Sequence, residues 1–343
     1  MILLAAAALM SAGCNNTQVE KQNVPPLTVQ GTALYAGANP MEMHGISFGW
    51  HNLWPRFYNG QALNNIHNDW GCRIFRAAIG ADTLYETLNG SDHHPGYIED
   101  PQAALNCLYA VVDAAVECGA YIIVDWHSHL IHQKEAEQFF TTVAEKYAGV
   151  PNVIYELFNE PVCFSFEDGS ENPYEDLGNP EAMKAYWTAL KAYAEPLIKI
   201  IEKANGDYKP LILMGCPSWD QRIDLPAADP IKGYDNLMYT AHFYAGTHKK
   251  ELRDACDAAI AAGIPVFISE CAACDATGDG TIDSESWDEW NGWAAENGIT
   301  MLSWSVGDKN ETCSMFTPKA TSEGPWGEDV IKPWGRMTKD WIK

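Results

Sequence analysis

The chain has 343 residues, of which 47% are hydrophobic and 11% aromatic, so it can bury a large core and does not have the composition of a disordered chain. Its formal net charge is −24, from 46 acidic against 22 basic residues, which disfavours nucleic acid and anionic membrane surfaces as partners. A neutral polymer such as a polysaccharide is indifferent to that charge.

The N-terminal segment has the pattern of a targeting signal. Residues 2–10 form an unbroken apolar run, and small residues then lead into Cys14. The run is too short to span a bilayer and resembles the signal of a bacterial lipoprotein. We therefore expect 1–14 to be a signal peptide, Cys14 to carry a lipid anchor, and 15–33 to be a polar spacer. The expected location is outside the cytoplasm, as a cell-surface or periplasmic lipoprotein rather than a freely secreted protein.

Strand and helix patterns alternate through the rest of the chain, 34–343, which we expect to be one catalytic domain. Strands are predicted at 43–50, 73–79, 121–127, 153–161, 211–216, 237–244, 266–270 and 300–306, and helices at 103–118, 134–147, 182–204, 249–262, 286–297 and 328–342. Strands that alternate with helices indicate right-handed parallel crossovers. Eight such repeats predict a closed (β/α)8 barrel, the TIM barrel of the α/β class.

Two of the predicted strands end on a glutamate. The fourth ends in Asn159-Glu160-Pro161, and the seventh ends at Glu270. Catalytic side chains of such barrels collect at the carboxyl ends of the strands, because the eight loops converge there. Cleavage of a glycosidic bond needs two carboxyl groups, one to protonate the leaving oxygen and one to attack or to activate water. The pair predicts a glycosidase, and this chemistry needs no cofactor and no metal.

Further polar and aromatic residues stand at other strand ends. A single strand Arg is usually part of a buried ion pair, and a single strand Trp usually belongs to the core. Six of eight predicted strand ends carry such groups, however, and polar side chains aimed at one face of a barrel have little structural use there. They are Arg76, Asp125-Trp126-His127, Asn159-Glu160, His242 with Tyr244, Glu270 and Trp304.

Four segments resemble glycoside hydrolase family 5, most closely its bacterial endoglucanase (cellulase) subfamily. They are YIIVDWH at 121–127, Asn-Glu-Pro at 159–161, YTAHFYAGTH at 239–248 and WSVGDKNE at 304–311. The likeness extends from about residue 43 to residue 311 in the family's order. It implies that Glu160 is the general acid/base and Glu270 the nucleophile of a retaining double displacement. At a separation of about 5 Å, a negative Glu270 is expected to raise the pKa of Glu160.

The resemblance also implies roles for residues around the two glutamates. Arg76 and Tyr244 match residues that hydrogen-bond the nucleophile, and Asn159 matches the residue that contacts the sugar 2-hydroxyl. The other implied substrate-binding residues are His127, His242, Trp304, Lys309, Glu311 and, as a further stacking platform, Trp54. The chain departs from the family at Cys271-Ala272, where Trp-Gly is usual, and at Val306-Gly307, where Leu-Ser is usual. These departures affect the shape of sugar subsites and leave both carboxylates in place.

The resulting prediction is a monomeric, retaining, endo-acting enzyme that cleaves β-1,4-glucosidic bonds in cellulose-type or mixed-linkage β-glucan. One alternative is the same machinery acting on another β-glycan, mannan or xyloglucan. A second alternative is a non-catalytic glycan-binding lipoprotein, which would have no need to keep the whole set of strand-end residues.

Three other sequence features bear on metal sites and disulfides. Residues 275–283 resemble the front of a calcium loop, but Ser286 stands where the bidentate Glu belongs, so a polar turn is the favoured interpretation. The histidines at 127, 129 and 132 and the pair at 93–94 could be zinc ligands. No further ligand group stands at the spacing of a known zinc site, so the sequence does not favour zinc. Cys271 and Cys274 are candidates for a disulfide, although spacing alone does not establish the pairing.

Overall fold

The structure, a computed structural model, describes residues 24–88, 90–162 and 179–343. The predicted signal peptide, its Cys14 and the first part of the predicted spacer lie outside these residues. Within the described ranges, no helix combines the length and the apolar character that a membrane crossing requires.

Eight parallel strand positions close into a barrel, which confirms the predicted (β/α)8 fold. The barrel strands are β4 (His44–Phe48), β5 (Ile74–Gly80), β6 (Tyr121–His127), β7 (Val153–Glu156), β8 (Ile212–Met214), β9 (Leu237–Thr240), β10 (Phe243–Tyr244), β11 (Val266–Ala272) and β12 (Met301–Val306). A separate antiparallel sheet precedes them and consists of β1 (Leu27–Gln30), β2 (Ala33–Ala36) and β3 (Asn39–Pro40). β9 and β10 are two pieces of one barrel strand, and both pair with β11. The pairing of β12 with β4 completes the ring.

Helices connect the strands around the outside of the barrel. They are α1 (Gly60–Asn65), α2 (Pro101–Cys118), α3 (Gln133–Lys146), α4 (Pro180–Asn205), α5 (Pro217–Asp220), α6 (Asp224–Ala228), α7 (Lys250–Ala261), α8 (Ser284–Asn297) and α9 (Pro333–Ile342), with a 3-10 turn at Pro55–Phe57 and a π turn at Ile66–Trp70. Local signals explain their ends: the Asp100 side chain accepts the Ala103 N–H at the start of α2, and Gly119 ends it in a left-handed conformation. α9 was predicted to begin at 328, but it begins at Pro333, because proline suits the first turn of a helix.

The N-terminal sheet covers the bottom of the barrel. The Asn236 side chain accepts the Val29 N–H and donates to the Leu27 carbonyl, at 2.8 and 2.9 Å, and the Tyr121 hydroxyl donates to the Pro25 carbonyl. Leu27 is 1% exposed and packs in an apolar cluster with Tyr121. The spacer predicted over 15–33 is therefore shorter at its C-terminal end, because residues from 24 onwards pack against the barrel.

The alternation of side chains along the strands separates the barrel interior into layers. Tyr121 and Ile123 of β6 belong to the apolar cluster at the bottom, and Asp125 and His127 follow on the same side of the strand. On β5, Ile74 belongs to the apolar cluster and Arg76 follows in the same way. The lower interior is thus apolar, and polar side chains occupy the interior near the carboxyl ends of the strands.

Candidate active site

A buried arginine organises the polar layer. Arg76 is fully buried on β5; its Nε donates to Glu156 Oε2 at 2.6 Å, its Nη1 to Glu270 Oε2 at 2.8 Å and its Nη2 to Asn159 Oδ1 at 2.6 Å. Nη2 also lies 3.0 Å from Asp125 Oδ2. Burial alone would lower the pKa of Arg76, but the three carboxylates outweigh it and hold the pKa well above its usual value. The guanidinium therefore stays charged and links strands β5, β6, β7 and β11.

Glu270 is held at both carboxylate oxygens. It lies on β11 with 4% of its surface exposed; Arg76 donates to one oxygen, and the Tyr244 hydroxyl donates to the other at 2.7 Å. These are the contacts that the resemblance implies for Arg76 and Tyr244. Two donors oriented toward one carboxylate stabilise its negative charge and fix its direction, which suits a nucleophile.

Glu160 faces Glu270 across a short gap. One carboxylate oxygen of each residue and one ring nitrogen of His242 all lie within 4.8 Å of one another. Glu160 Oε1 is 3.0 Å from His242 Nδ1, and Oε2 is 3.3 Å from His129 Nε2. Burial raises the pKa of Glu160, but hydrogen bonds from the two histidines outweigh it and lower the pKa below its usual value. The expectation that Glu270 raises this pKa above its usual value was wrong, because the two histidines are closer partners of Glu160.

Both predicted site histidines lie at the carboxylate cluster. His127 Nδ1 is 2.6 Å from Asp125 Oδ2, and burial together with the Arg76 charge lowers the pKa of His127 well below its usual value. His242 is 1% exposed, and its Nε2 is 2.9 Å from Ser269 Oγ. His127 is therefore a neutral ring although Asp125 is its partner, whereas the carboxylates around His242 raise the pKa of that ring.

A cleft opens above the carboxylates and is walled by aromatic rings. Its volume is about 770 Å3, and its lining includes Glu160 and Glu270 together with Trp50, Trp219 and Trp304. Flat apolar rings next to carboxylates suit the faces of sugar rings, which are apolar, while the polar groups meet hydroxyls. The arrangement fits a glycan chain that passes over the two carboxylates.

The comparisons with known proteins agree with this geometry. The family described as Cellulase (glycosyl hydrolase family 5) matches residues 34–310. Endoglucanase Z of Dickeya dadantii (strain 3937) is 33% identical over 91% of this chain and 67% of its own length. The chain belongs to glycosyl hydrolase family 5. Family membership identifies the barrel as a glycosidase domain.

Solved structures of family 5 cellulases superpose on the whole barrel. The catalytic domain of the Thermobifida fusca endoglucanase Cel5A (E5) has a TM-score of 0.77 and 26% identity, covering 92% of this chain and 97% of that chain. A variant of the same domain in complex with cellotetraose matches with the same TM-score at 25% identity. The chain spans 62% of the length of Endoglucanase A of Evansella cellulosilytica, to which it is 31% identical.

A second cavity continues the cleft of this family 5 barrel past Trp304. It has a volume of about 260 Å3, and Lys309 and Glu311 line it, with their charged groups 3.3 Å apart. The Lys309 ammonium is also 3.4 Å from Glu86, which sequence reasoning missed because it lies in a connection without periodicity. Trp304 borders both cavities, and its ring is stacked on His127 with centroids 5.3 Å apart.

Trp54 is a poor stacking platform, contrary to the role that the resemblance implied. It borders the second cavity but is only 2% exposed. A side chain added at Gly49 or Gly307 would meet its ring at 2.5 or 3.2 Å, so backbone covers the indole. Trp50 is half-buried and borders both cavities, so it is the better platform. The available signal was its position as the last residue of the first predicted barrel strand.

Two carboxylates of the loop over 275–283 accept hydrogen bonds from other groups of the protein. Asp279 Oδ1 accepts the backbone N–H and the hydroxyl of Thr312, at 3.2 and 3.0 Å. Asp283 accepts the Ser286 N–H at the start of α8 and bonds the Lys249 ammonium. These contacts favour the polar-turn interpretation over a calcium site, because two of the three carboxylates in the loop already have protein donors.

The remaining candidate histidine ligands have different carboxylate partners, and the candidate disulfide is absent. His132 pairs with Asp82, and His93 pairs with Glu99. The cysteines in the described part of the chain are all free thiols, so the Cys271–Cys274 disulfide is not formed. Cys271 instead donates to the Leu302 carbonyl at 3.2 Å and is fully buried between β11 and β12.

Proposed function

We propose that the chain is a retaining endo-β-1,4-glucanase that hydrolyses cellulose-type or mixed-linkage β-glucan. The observation that carries the mechanism is the short distance between carboxylate oxygens of Glu160 and Glu270, within 4.8 Å. Retaining glycosidases have carboxyl groups about 5 Å apart, whereas inverting enzymes need roughly 6.5–9.5 Å to place a water between them. The gap supports direct attack on the sugar by one of the two carboxylates.

Glu270 attacks the anomeric carbon while Glu160 passes a proton to the leaving glycosidic oxygen. The C–O bond breaks, its electron pair stays on the leaving oxygen, and Glu270 becomes an ester of the sugar. A water molecule then attacks the same carbon, Glu160 takes its proton, and Glu270 is released as a carboxylate. The hydrogen bonds of Arg76 and Tyr244 distinguish the nucleophile from the acid/base. Both residues donate to Glu270, and neither donates to Glu160 among the described contacts, so Glu270 is the nucleophile.

Three observations support β-glucan as the substrate. The cleft is open and aromatic-walled, so an internal stretch of a neutral chain has access to it. The bond from Arg76 fixes the Asn159 amide oxygen, so the amide nitrogen is the group that would meet a sugar 2-hydroxyl. The relatives named above are endoglucanases, and one related domain is seen with cellotetraose. Mannan differs from glucan at the 2-hydroxyl and is therefore the more distant substrate.

Hydrolysis of cellopentaose is expected to release the β-anomer first. Each of two displacements inverts the anomeric carbon, so the product keeps the β configuration of the substrate. Proton NMR of the first minutes of reaction, before mutarotation, measures the two anomers separately. Initial α-anomer would contradict the retaining mechanism, and intact cellopentaose would contradict the substrate.

We also propose that the enzyme acts outside the cytoplasm as a monomer tethered through lipid at Cys14. The support is the apolar run at 2–10 that leads into Cys14, and the use of a single barrel for the whole catalytic site. Fatty-acid labelling that disappears on Cys14→Ala tests the anchor, and sedimentation of the soluble domain tests the monomer.

A further inference from the structure

The ring of His242 lies between two carboxylates. Its Nδ1 is 3.0 Å from Glu160 Oε1, and its Nε2 is 3.2 Å from Asp220 Oδ2. The Ser269 hydroxyl, 2.9 Å from the same Nε2, donates its own hydrogen to Glu156 Oε1, so its oxygen acts as an acceptor toward the ring. Each ring nitrogen therefore faces acceptors, which is the environment of a doubly protonated imidazolium.

Asp220 is held in place by its own turn and by a barrel strand. It is fully buried, its Oδ1 accepts the Cys216 N–H, and its Oδ2 accepts the Thr240 hydroxyl at 2.7 Å. Ser218, Trp219 and Asp220 have φ of 59°, 54° and 61°, a conformation that is uncommon and costly for residues other than glycine. The costly turn brings the carboxylate of Asp220 to the ring of His242.

We propose that Asp220 is a positioning residue that keeps His242 doubly protonated, so that the general acid is a Glu160–His242 pair sharing one proton. The inference rests on the proposed glycosidase function, because it assigns the source of the proton that Glu160 delivers. In the first step the His242 Nδ1 proton passes through Glu160 to the leaving oxygen, which leaves His242 neutral and Glu160 as a carboxylate that can take a proton from water. In the second step the proton lost by water returns to the pair, so the balance closes over one turnover.

The pair extends activity toward alkaline pH. Burial alone would lower the pKa of His242, but Asp220 and Glu160 outweigh it and raise the pKa to about 9. Burial raises the pKa of Asp220 well above its usual value. Its two oxygens nevertheless face the Cys216 N–H, the Thr240 hydroxyl and the His242 ring, and these donors favour the carboxylate form, which leaves the proton on the ring. The pair keeps its proton below about pH 9 and loses it above, so kcat/KM falls on the alkaline side near that pH.

Other charged groups face this pair and remain unchanged when only Asp220 is replaced. Glu156 Oε1 is 4.0 Å from His242 Nε2, and Glu270 also raises the pKa of His242. His129 bonds the second oxygen of Glu160, and burial lowers the pKa of the nearby His248. A change in the alkaline limb on replacement of Asp220 therefore reports the contribution of that carboxylate.

The test is the pH profile of kcat/KM for Asp220→Asn on a soluble β-glucan. Asparagine keeps the shape and the acceptor oxygen but removes the charge, so the alkaline limb is expected to move down by about 1–3 pH units. Asp229→Asn, the same chemical change at an exposed position after α6, is the matched control and should keep the wild-type profile. An unchanged alkaline limb in Asp220→Asn would overturn the proposal.

Nitrogen NMR of labelled histidine separates this inference from the proposed function. With His242 assigned through His242→Asn, the wild-type ring should show two protonated nitrogens at about pH 7.5, below the raised pKa of the ring. A neutral ring at that pH would sink the inference even if glucan is cleaved and even if Asp220→Asn does not fold. A doubly protonated ring in a protein that cleaves no glucan would leave the proton-sharing pair intact and refute the proposed function alone.

Discussion

Glu270→Gln is expected to abolish hydrolysis of β-glucan while leaving the barrel folded. The amide has no negative charge and does not attack the anomeric carbon, so kcat should fall by roughly 10⁵-fold, the scale seen when a covalent nucleophile is removed. The side chain keeps its shape, and Arg76 still has Asp125 and Glu156 as partners. Reducing-end release measures the loss, and thermal unfolding measures the retained fold.

The control for this replacement is Glu195→Gln, which makes the same change on the exposed face of α4. It should have wild-type activity. Substantial turnover by folded Glu270→Gln, after contamination by wild-type protein is excluded with a second preparation, would remove Glu270 from the role of nucleophile.

Glu160→Ala is expected to lose activity in a way that depends on the leaving group. An alcohol leaving group of β-glucan needs protonation, so its hydrolysis should slow by about 10²–10⁴-fold. A dinitrophenyl cellobioside has a leaving group that departs without a proton, so its first step should stay fast and the glycosyl-enzyme should accumulate. A burst of dinitrophenolate measured by stopped flow checks this.

Azide provides a second readout for the same variant. A small anionic nucleophile needs no general base, so azide should restore turnover of the aryl substrate and yield a β-glycosyl azide. Equal loss on both substrates, with no azide rescue, would contradict the assignment of Glu160 as the acid/base. Glu270→Gln should show neither the burst nor the rescue, which distinguishes the two carboxylates.

The barrel could be predicted because its strands and helices have clear periodicity. The predicted strand over 121–127 matches β6, and the apolar runs before the two glutamates match β7 and β11. The predicted ends of the strands were less accurate, because β7 stops at Glu156 rather than continuing to 161. Beyond that point the Asn159 N–H bonds the Trp126 carbonyl at 3.1 Å, a contact outside the regular ladder that sequence periodicity does not predict.

The two glutamates were predictable from the same patterns, whereas much of their support was not. Glu156 had a signal, an acidic residue in an apolar strand run, and alternation from Ile154 turns it toward the interior. No sequence signal indicated Asp220, because its approach to His242 depends on a left-handed turn of three residues that are not glycine. The pKa of Glu160 also depends on which side chains meet in space, so the expected direction was reversed.

The most direct test of the account is viscometry of soluble carboxymethyl-cellulose together with counting of new reducing ends. The protein should begin at residue 24, because residues from there onwards pack on the barrel bottom. We expect viscosity to fall steeply while few reducing ends appear, the signature of internal cuts in a β-1,4-glucan. Unchanged viscosity with folded protein, or cleavage of mannan or xyloglucan alone, would contradict the proposed endo-β-1,4-glucanase.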